Sequence, residues 1–312
     1  MEGQRVLFIG GQGPVSAPVL RALAPDNDVY AMARFTNPEV KEKLESIGVT
    51  CIKHDLFDPP DDLPTGFDYV NFSAVPMARS ETGMIRTVWA PRGQWPDSYD
   101  KYPLAAGRLM AHFRGCKGFV FASTISVYDP IGDDTPLLET HPFGIHTVGA
   151  YAFTKVASEA VLTYVSTTLD IPTTILRVGS CSGVDGGPMT DRLDLLVQGK
   201  PIPVNADGPT YVRPIFEPDV VKLGIAALEA GRIPPLVVNW CGEDITTLEE
   251  YCTYFGQLIG RAPIFEPAPS AWPAQIVDTT FMHEVLGTAD MGWQEGCRML
   301  VEQRYPELLQ PA

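Results

Sequence analysis

The sequence predicts an α/β protein: a doubly wound, mostly parallel sheet followed by a smaller C-terminal lobe. Three observations predict it. Short, near-continuous apolar runs alternate with amphipathic stretches over the first two-thirds of the chain, the strand–helix–strand order of a parallel sheet covered on both faces. A glycine-rich turn separates the first apolar run from the first amphipathic one. After about Ser180 the texture changes, with glycine and proline frequent in GVDGGP, KPIPVNADGP and RAPIFEPAPSAWP. The division expected is residues 1–180 for the sheet domain and 181–312 for the lobe, with Val220–Trp240 packing back onto the first domain.

Taken in order, Arg5–Ile9, Val29–Met32, Val49–Lys53, Tyr69–Phe72, Gly118–Ala122 and Thr173–Val178 read as buried strands. Between them Pro14–Ala24, Pro38–Ser46, Tyr99–Phe113 and Tyr151–Tyr164 read as helices. Helices are expected to be fewer in the lobe, where Val220–Ala230 and Leu248–Ile259 look helical and Pro235–Trp240 looks like a strand. Ala262–Pro273 has a linker's composition, but too little chain follows it for a further domain.

Composition narrows the function. The chain has 312 residues and a net charge of −15, which would repel a nucleic acid over most of the surface. No run of about 18 uncharged apolar residues is present, so a membrane partner is not expected. The opening MEGQRVLFIG runs straight into a strand, as expected of a chain without a signal peptide. Six cysteines are widely spread with no C-x-x-C pair, and His141 and His146, five apart, read as loop residues. No metal site is expected, and a reduced, cytoplasmic protein fits best.

Gly10, Gly11, Gln12 and Gly13 follow the first strand directly. Glycine there lets the backbone turn sharply and approach a pyrophosphate. The third position of the usual glycine fingerprint is Ser16. An NAD site usually ends its second strand on an acidic residue for the ribose hydroxyls; this strand ends Ala31-Met32-Ala33-Arg34. Arg34 could pair with a 2′-phosphate instead, a lean toward NADP, or simply begin a surface loop. Asp55, with Leu56 after it, is placed to accept from an adenine amino group, and could equally cap a turn with Asp58.

The strongest single feature is Tyr151-Ala-Phe-Thr-Lys155 at the start of a long helix. Residues four apart share a helix face, so phenol and ammonium point into one space. A neighbouring ammonium stabilises phenolate and brings a phenol toward the pKa useful for proton transfer. Upstream, directly after the Gly118–Ala122 strand, comes Ser123-Thr124-Ile125-Ser126-Val127-Tyr128. Hydroxyls at the C-terminal end of a parallel strand sit where such sheets bind ligands. Thr124 is the first candidate to hold a substrate oxygen, with Ser126 or Ser123 next; a Ser/Thr-rich strand end can also serve only backbone groups.

The glycine turn, FASTISVYD and YAFTK resemble, in order and spacing, the extended short-chain dehydrogenases, the NAD-dependent epimerase/dehydratase group. The resemblance continues through LRVGSCSG, YVRPIFEPDVV, VVNWCGEDITTLEE and IVDTTFMHEVLGTADMGWQEG, and so spans nearly the whole chain. It implies a Rossmann-type sheet with a C-terminal substrate-binding lobe. By the same resemblance Tyr151 is the acid/base, Lys155 holds the nicotinamide ribose, Thr124 orients the substrate oxygen, Ser180 lies near the nicotinamide, and the backbone at Ala74 runs along the cofactor. It also implies a homodimer built on the Tyr99–Phe113 and Tyr151 helices.

Two departures bear on substrate. Nucleotide-sugar enzymes of this group grip a diphosphate with two arginines; Arg213 matches the first, while the second position falls in Ala271-Trp272-Pro273-Ala274. Arg192 or Arg261 could substitute. The segment Arg79–Tyr102 carries Trp89, Trp95, Tyr99 and Tyr102, either an aromatic lid over the substrate, in which Trp89 and Trp95 would touch it, or ordinary loop packing. The first reading is therefore an NAD(P)-dependent oxidoreductase acting on a secondary alcohol or ketone of a small molecule. Two alternatives stand beside it: a nucleotide-sugar epimerase or dehydratase with tightly held NAD, and a non-catalytic dinucleotide sensor that regulates a partner.

Overall fold

A computed structural model describes residues 1–75, 97–129, 135–144, 150–268 and 275–311. Along the first part run β1 (Arg5–Ile9), α1 (Ala17–Leu23), β2 (Asp28–Ala33), α2 (Pro38–Glu45), β3 (Thr50–Lys53), β4 (Tyr69–Phe72), α3 (Asp97–His112), β5 (Gly118–Thr124), α4 (Ala150–Leu169) and β6 (Thr173–Val178). The later part holds β7 (Ser180–Ser182), α5 (Pro188–Val197), β8 (Ile202–Val204), β9 (Tyr211–Val212), β10 (Pro214–Phe216) and α6 (Glu217–Glu229). It continues with β11 (Leu236–Trp240), β12 (Thr246–Thr247), α7 (Leu248–Ile259), β13 (Phe265–Pro267), α8 (Thr280–Val285) and α9 (Trp293–Arg304).

Seven strands form one sheet in the order β11-β6-β5-β4-β1-β2-β3, every neighbouring pair parallel. Alternation along each strand feeds two cores, because successive side chains leave opposite faces. Val6 and Phe8 join α1 and α6 on one face through Val19, Leu20, Val220 and Leu223. Leu7 and Ile9 join α3 and α4 on the other through Tyr102, Leu109, Met110 and Leu162. All seven residues of β5 and all six of β6 are buried, as a strand covered on both faces demands.

A third core, Leu193, Phe216, Tyr251, Phe255, Leu300 and Val301, unites α5, α7 and α9 in the C-terminal part. The expectation of few helices there is corrected: five are present among the described residues, α5 to α9. Pro188 after Gly187 had the look of a loop, but proline at the first helical position lacks only an N–H that would be orphaned anyway. Helix α4 runs five residues past the expected Tyr164, to Leu169. In that last stretch Thr163 and Thr167 donate their hydroxyls to carbonyls four residues back, at 2.7 and 2.8 Å, so that these β-branched polar residues sit in the helix without competing for its N–H groups. Conversely α1 starts at Ala17, because the preceding residues are spent in the glycine turn.

Candidate functional site

β1 and β4 lie side by side although the chain leaves them in opposite directions across the sheet, so a crevice opens at their C-terminal ends. Gly10 and Ala74 face one another there. Gly10 has φ +83°, and a Cβ on it would sit 2.4 Å from the Ala74 Cα, so only glycine fits. Ser16, at the place of the third fingerprint glycine, is buried and donates its hydroxyl to the Gly10 carbonyl at 3.1 Å, tying the turn shut. A Cβ at Gly13 would meet nothing within 4 Å. Gly11 is constrained differently, its Cβ position lying 2.8 Å from a Leu20 methyl.

At the outer edge Arg34 is exposed just beyond β2, and Phe35 after it turns the chain at φ +47°. The strand β3 ends at Lys53, two residues before Asp55. The Asp55 carboxylate accepts from the Phe57 N–H at 3.1 Å, and its carbonyl accepts from Asp58 N–H at 3.0 Å. The turn role is therefore filled; the second carboxylate oxygen carries no such bond. Leu56 is half-buried against the α3-side core.

The hydroxyl cluster after β5 divides its labour. Ser123 donates to the Glu159 carboxylate in a short buried bond, so its proton is committed. Thr124 accepts from the Ser126 N–H at 3.2 Å and donates to the Ser126 hydroxyl at 3.1 Å, capping a 3-10 turn at Ile125–Val127. In this arrangement the Ser126 hydroxyl accepts from Thr124, and its own proton is not used in the pair.

Helix α4 carries Tyr151 and Lys155 one turn apart. Lys155 is 1 % exposed, donates to the Ala122 carbonyl at 2.6 Å and lies 5.8 Å from the Tyr151 ring centre. Burial pushes the Lys155 ammonium down from 10.5 to about 7, against the opposing pull of Glu159 one turn on. Glu159 in turn pairs with Arg177 through two bonds, 3.2 and 2.8 Å, with both side chains about 5 % exposed. Arg177 also donates to Tyr128 Oη at 2.7 Å, and Tyr128 donates to Asn239 at 2.7 Å. This network locks α4 to β5, β6 and β11.

Ser180 and Arg213 meet through pairing: β7 lies parallel to β10 with Ser180 opposite Pro214, so Arg213 stands one residue before Ser180's partner. The Ser180 hydroxyl and Arg213 Nε are both buried without a hydrogen-bond partner. Arg213 otherwise donates to Glu243 O at 3.2 Å and Thr279 Oγ1 at 3.1 Å. Arg261 donates to the Leu196 and Val197 carbonyls at the end of α5. Arg192 is held on α5, 3.2 Å from the Pro188 carbonyl. Trp89, Trp95 and Ala271–Ala274 lie outside the described residues.

The sequence reading missed three buried groups. Glu159 continues the every-fourth-residue series of Tyr151 and Lys155, and Arg177 is a charge inside an apolar strand that must find a partner; both signals were present. Tyr102, in the segment read either as a lid or as packing onto the body, is fully buried beside Lys155, and that contact is what the sequence did not disclose. Among the described residues no three His, Cys, Asp or Glu side chains gather as metal ligands, and no helix is long and apolar enough to cross a membrane.

A nicotinamide dinucleotide fits these residues: glycine pressed on Ala74, open space over Gly13, and an unpartnered Ser180 hydroxyl deeper in. No curated protein sequence matches the chain. Solved structures match over almost all of it. MoeE5 in complex with UDP-glucose and NAD shares 21 % identity at a TM-score of 0.79, covering 97 % of this chain and 99 % of that one. UDP-glucose 4-epimerase from Thermotoga maritima, with UDP-glucose, shares 18 % at 0.79, over 97 % and 99 %. UDP-glucuronic acid 4-epimerase from Bacillus cereus, with UDP-glucuronic acid and NAD, shares 18 % at 0.76, again over 97 % and 99 %. These likenesses carry the Rossmann-type α/β fold, and a family model, described as NAD dependent epimerase/dehydratase family, matches residues 6–239. The chain belongs to that family and is an NAD-dependent enzyme of the extended short-chain dehydrogenase type.

Proposed function

We propose that the protein takes a hydride from a ring carbon of a nucleotide sugar and returns it, as an epimerase or dehydratase with a retained dinucleotide. The observation that carries this reading is the placing of Lys155: its ammonium lies 5.8 Å from the Tyr151 ring centre, donates to the Ala122 carbonyl in the strand that runs on into Thr124, and is joined through Tyr102 to Ala74 at the Gly10 crossing. The ligands of the similar structures, UDP-glucose and UDP-glucuronic acid, support the substrate class. So does Arg213, whose buried Nε has no hydrogen-bond partner among the described residues.

When bound, the nicotinamide supplies a reversible hydride acceptor. Gly10, Gly11, Gln12 and Gly13 would hold its pyrophosphate, Ala74 and Ser180 would flank it, and Lys155 would bond its ribose. Arg34, Asp55 and Leu56 would meet the adenosine. Tyr151 would then take the proton of the substrate hydroxyl, its phenolate favoured by the Lys155 ammonium. Thr124 and Ser126 would hold that oxygen in line, since Ser126 keeps a free proton while Thr124 fixes its position.

Net oxidation or reduction of an alcohol or ketone is the competing reading, favoured by the absence of a second arginine near Ala271–Ala274. The spectrum of nucleotide retained by the purified protein, followed by incubation with UDP-sugars and proton NMR of the sugar, separates the two. Sugar interconversion without net change in NAD(H), lost at least about a hundredfold in Tyr151→Phe, is expected. Stoichiometric turnover of added dinucleotide with a ketone would move the assignment to net redox, and no dinucleotide binding would sink both.

Pairing of two copies across α3 and α4 belongs to the same reading. Leu104, Phe153 and Tyr164 expose 59, 50 and 70 % of their surface on these helices, an apolar face that a second copy would cover. A monomeric mass by light scattering would overturn it.

A further inference from the structure

Lys155 is gripped from the α3 side by a second phenol. Tyr102 is wholly buried, its ring stacked on Phe72 at 5.7 Å and 15°. Its hydroxyl lies 2.5 Å from the Ala74 carbonyl and 3.3 Å from Lys155 Nζ. A phenol has one proton, and the carbonyl can only accept, so Tyr102 donates to Ala74 and must accept from Lys155. An ammonium has three N–H bonds. One goes to Ala122 O at 2.6 Å and one to Tyr102, which leaves the third for the Tyr151 side.

We propose that Tyr102 is a positioning residue: its buried hydroxyl, anchored on Ala74 beside the Gly10 turn, keeps the Lys155 ammonium charged and aimed at Tyr151. The proposal rests on the reading of Tyr151 and Lys155 as the acid–base pair. It explains how a lysine so deeply buried can serve as a cation. Burial disfavours its charge, and Glu159 from its own helix opposes burial; the Ala122 and Tyr102 oxygens accept two of its protons. Among the described residues the groups facing Nζ are Tyr151 and Glu159 on α4 and Tyr102 on α3; β5 offers the Ala122 carbonyl and the Phe121 ring, 4.7 Å away. The same hydroxyl touches the residue against which Gly10 packs, so one phenol joins the cofactor turn to the acid–base pair.

The test is the titration of Lys155 in the apo protein labelled with [ε-13C]lysine, the signal assigned by its loss in Lys155→Met. Tyr102→Phe keeps the ring and its stacking on Phe72 while removing the acceptor. The expected result is a Lys155 midpoint lowered by about one pH unit, because a bond to the charged form is lost. A folded Tyr102→Phe protein with an unmoved midpoint overturns the proposal, since a hydroxyl that merely tied α3 to Ala74 would change stability without touching the titration. Should Tyr102→Phe be too unstable to titrate, its cost is compared in the wild-type and Lys155→Met backgrounds. A smaller cost without the lysine supports the proposal; an equal cost overturns it. Dinucleotide binding is measured on the same wild-type sample, so a protein that binds none fails the functional reading while its Lys155 titration still decides this one.

Discussion

Around β1 to β3 the site is made of backbone and turns: Gly10 at φ +83° against Ala74, the Ser16 bond that closes the loop, the Asp55 turn, and one exposed cation, Arg34. Around β5, β6 and α4 it is made of charge taken out of water, with Lys155, Arg177 and Glu159 exposing only 1, 4 and 5 %. On the proposed reading, the contrast follows from what each half would do. A dinucleotide brings its own charges and needs space and N–H groups, which glycine supplies. Proton transfer needs a phenol held in an electrostatic field, and a field is strong only where water is excluded. The catalytic half therefore carries the larger stability risk, and the nucleotide half the larger affinity risk.

The sharpest way to break this contrast is Glu159→Ala. It strands Arg177 without its carboxylate at about 5 % exposure and frees the Ser123 hydroxyl. A loss of ~3–5 kcal/mol in denaturant unfolding is expected, the cost of an uncompensated buried charge. A loss under about 1 kcal/mol would mean water reaches this network and that the two halves do not differ in kind.

Gly10→Ala probes the other half. Its Cβ would press to 2.4 Å on Ala74 Cα, and the positive φ strains any L-residue. We expect a cost of ~2–3 kcal/mol in stability, from overpacking plus backbone strain, together with loss of dinucleotide binding by calorimetry. Retained binding would remove the Gly10–Ala74 crossing from the cofactor path.

How much of this contrast the sequence disclosed depended on the kind of signal. The sheet was readable because buried parallel strands are apolar on both faces, and Arg5–Ile9, Tyr69–Phe72 and Thr173–Val178 matched to the residue. So were Gly10 and the Tyr151–Lys155 pair, whose spacing is local. The C-terminal helices α5 and α9 escaped because the glycine or proline at their starts mimics a loop, and their apolar faces belong to a core assembled from distant segments; α8 escaped because it is only six residues long, with Met282 buried against the α1 and α6 core. Tyr102 escaped for a similar reason: nothing local distinguishes a tyrosine over a lid from one driven under a helix. Only the packing of α3 on β4 and β5 decides it.

The pH dependence of stability sharpens the catalytic side. Lys155 has a folded pKa of about 7 against 10.5 for the free side chain. The folded state penalises the charged form, so the penalty is whole below about 7 and gone above 10.5. In that window the unfolded chain holds more protons on this lysine, so the Lys155 contribution to stability rises with pH. Relative to Lys155→Met, the wild type should gain up to about 1.4 kcal/mol per pH unit between pH 7 and 9. Parallel curves for the two proteins would show that the lysine is not titrating there and that its ammonium is better compensated than its burial implies.

The smallest effect expected lies at the exposed edge. Arg34 stands where an NAD site places a carboxylate, exposed and with no ion pair among the described residues. A guanidinium there favours a 2′-phosphate and gives nothing to a ribose hydroxyl that a neutral residue would not. At such exposure its attraction is screened, and about a tenfold effect, near 1.4 kcal/mol, is the scale to expect. Arg34→Ala should therefore weaken NADP by about tenfold in calorimetric titration, leave NAD within about twofold, and leave the unfolding curve unchanged. An equal loss for both nucleotides would place Arg34 on the shared adenosine rather than on the 2′-phosphate. No loss for either would leave the nucleotide half with affinity built from backbone alone, and the choice between NAD and NADP would then have to come from Asp55 and the turn that follows it.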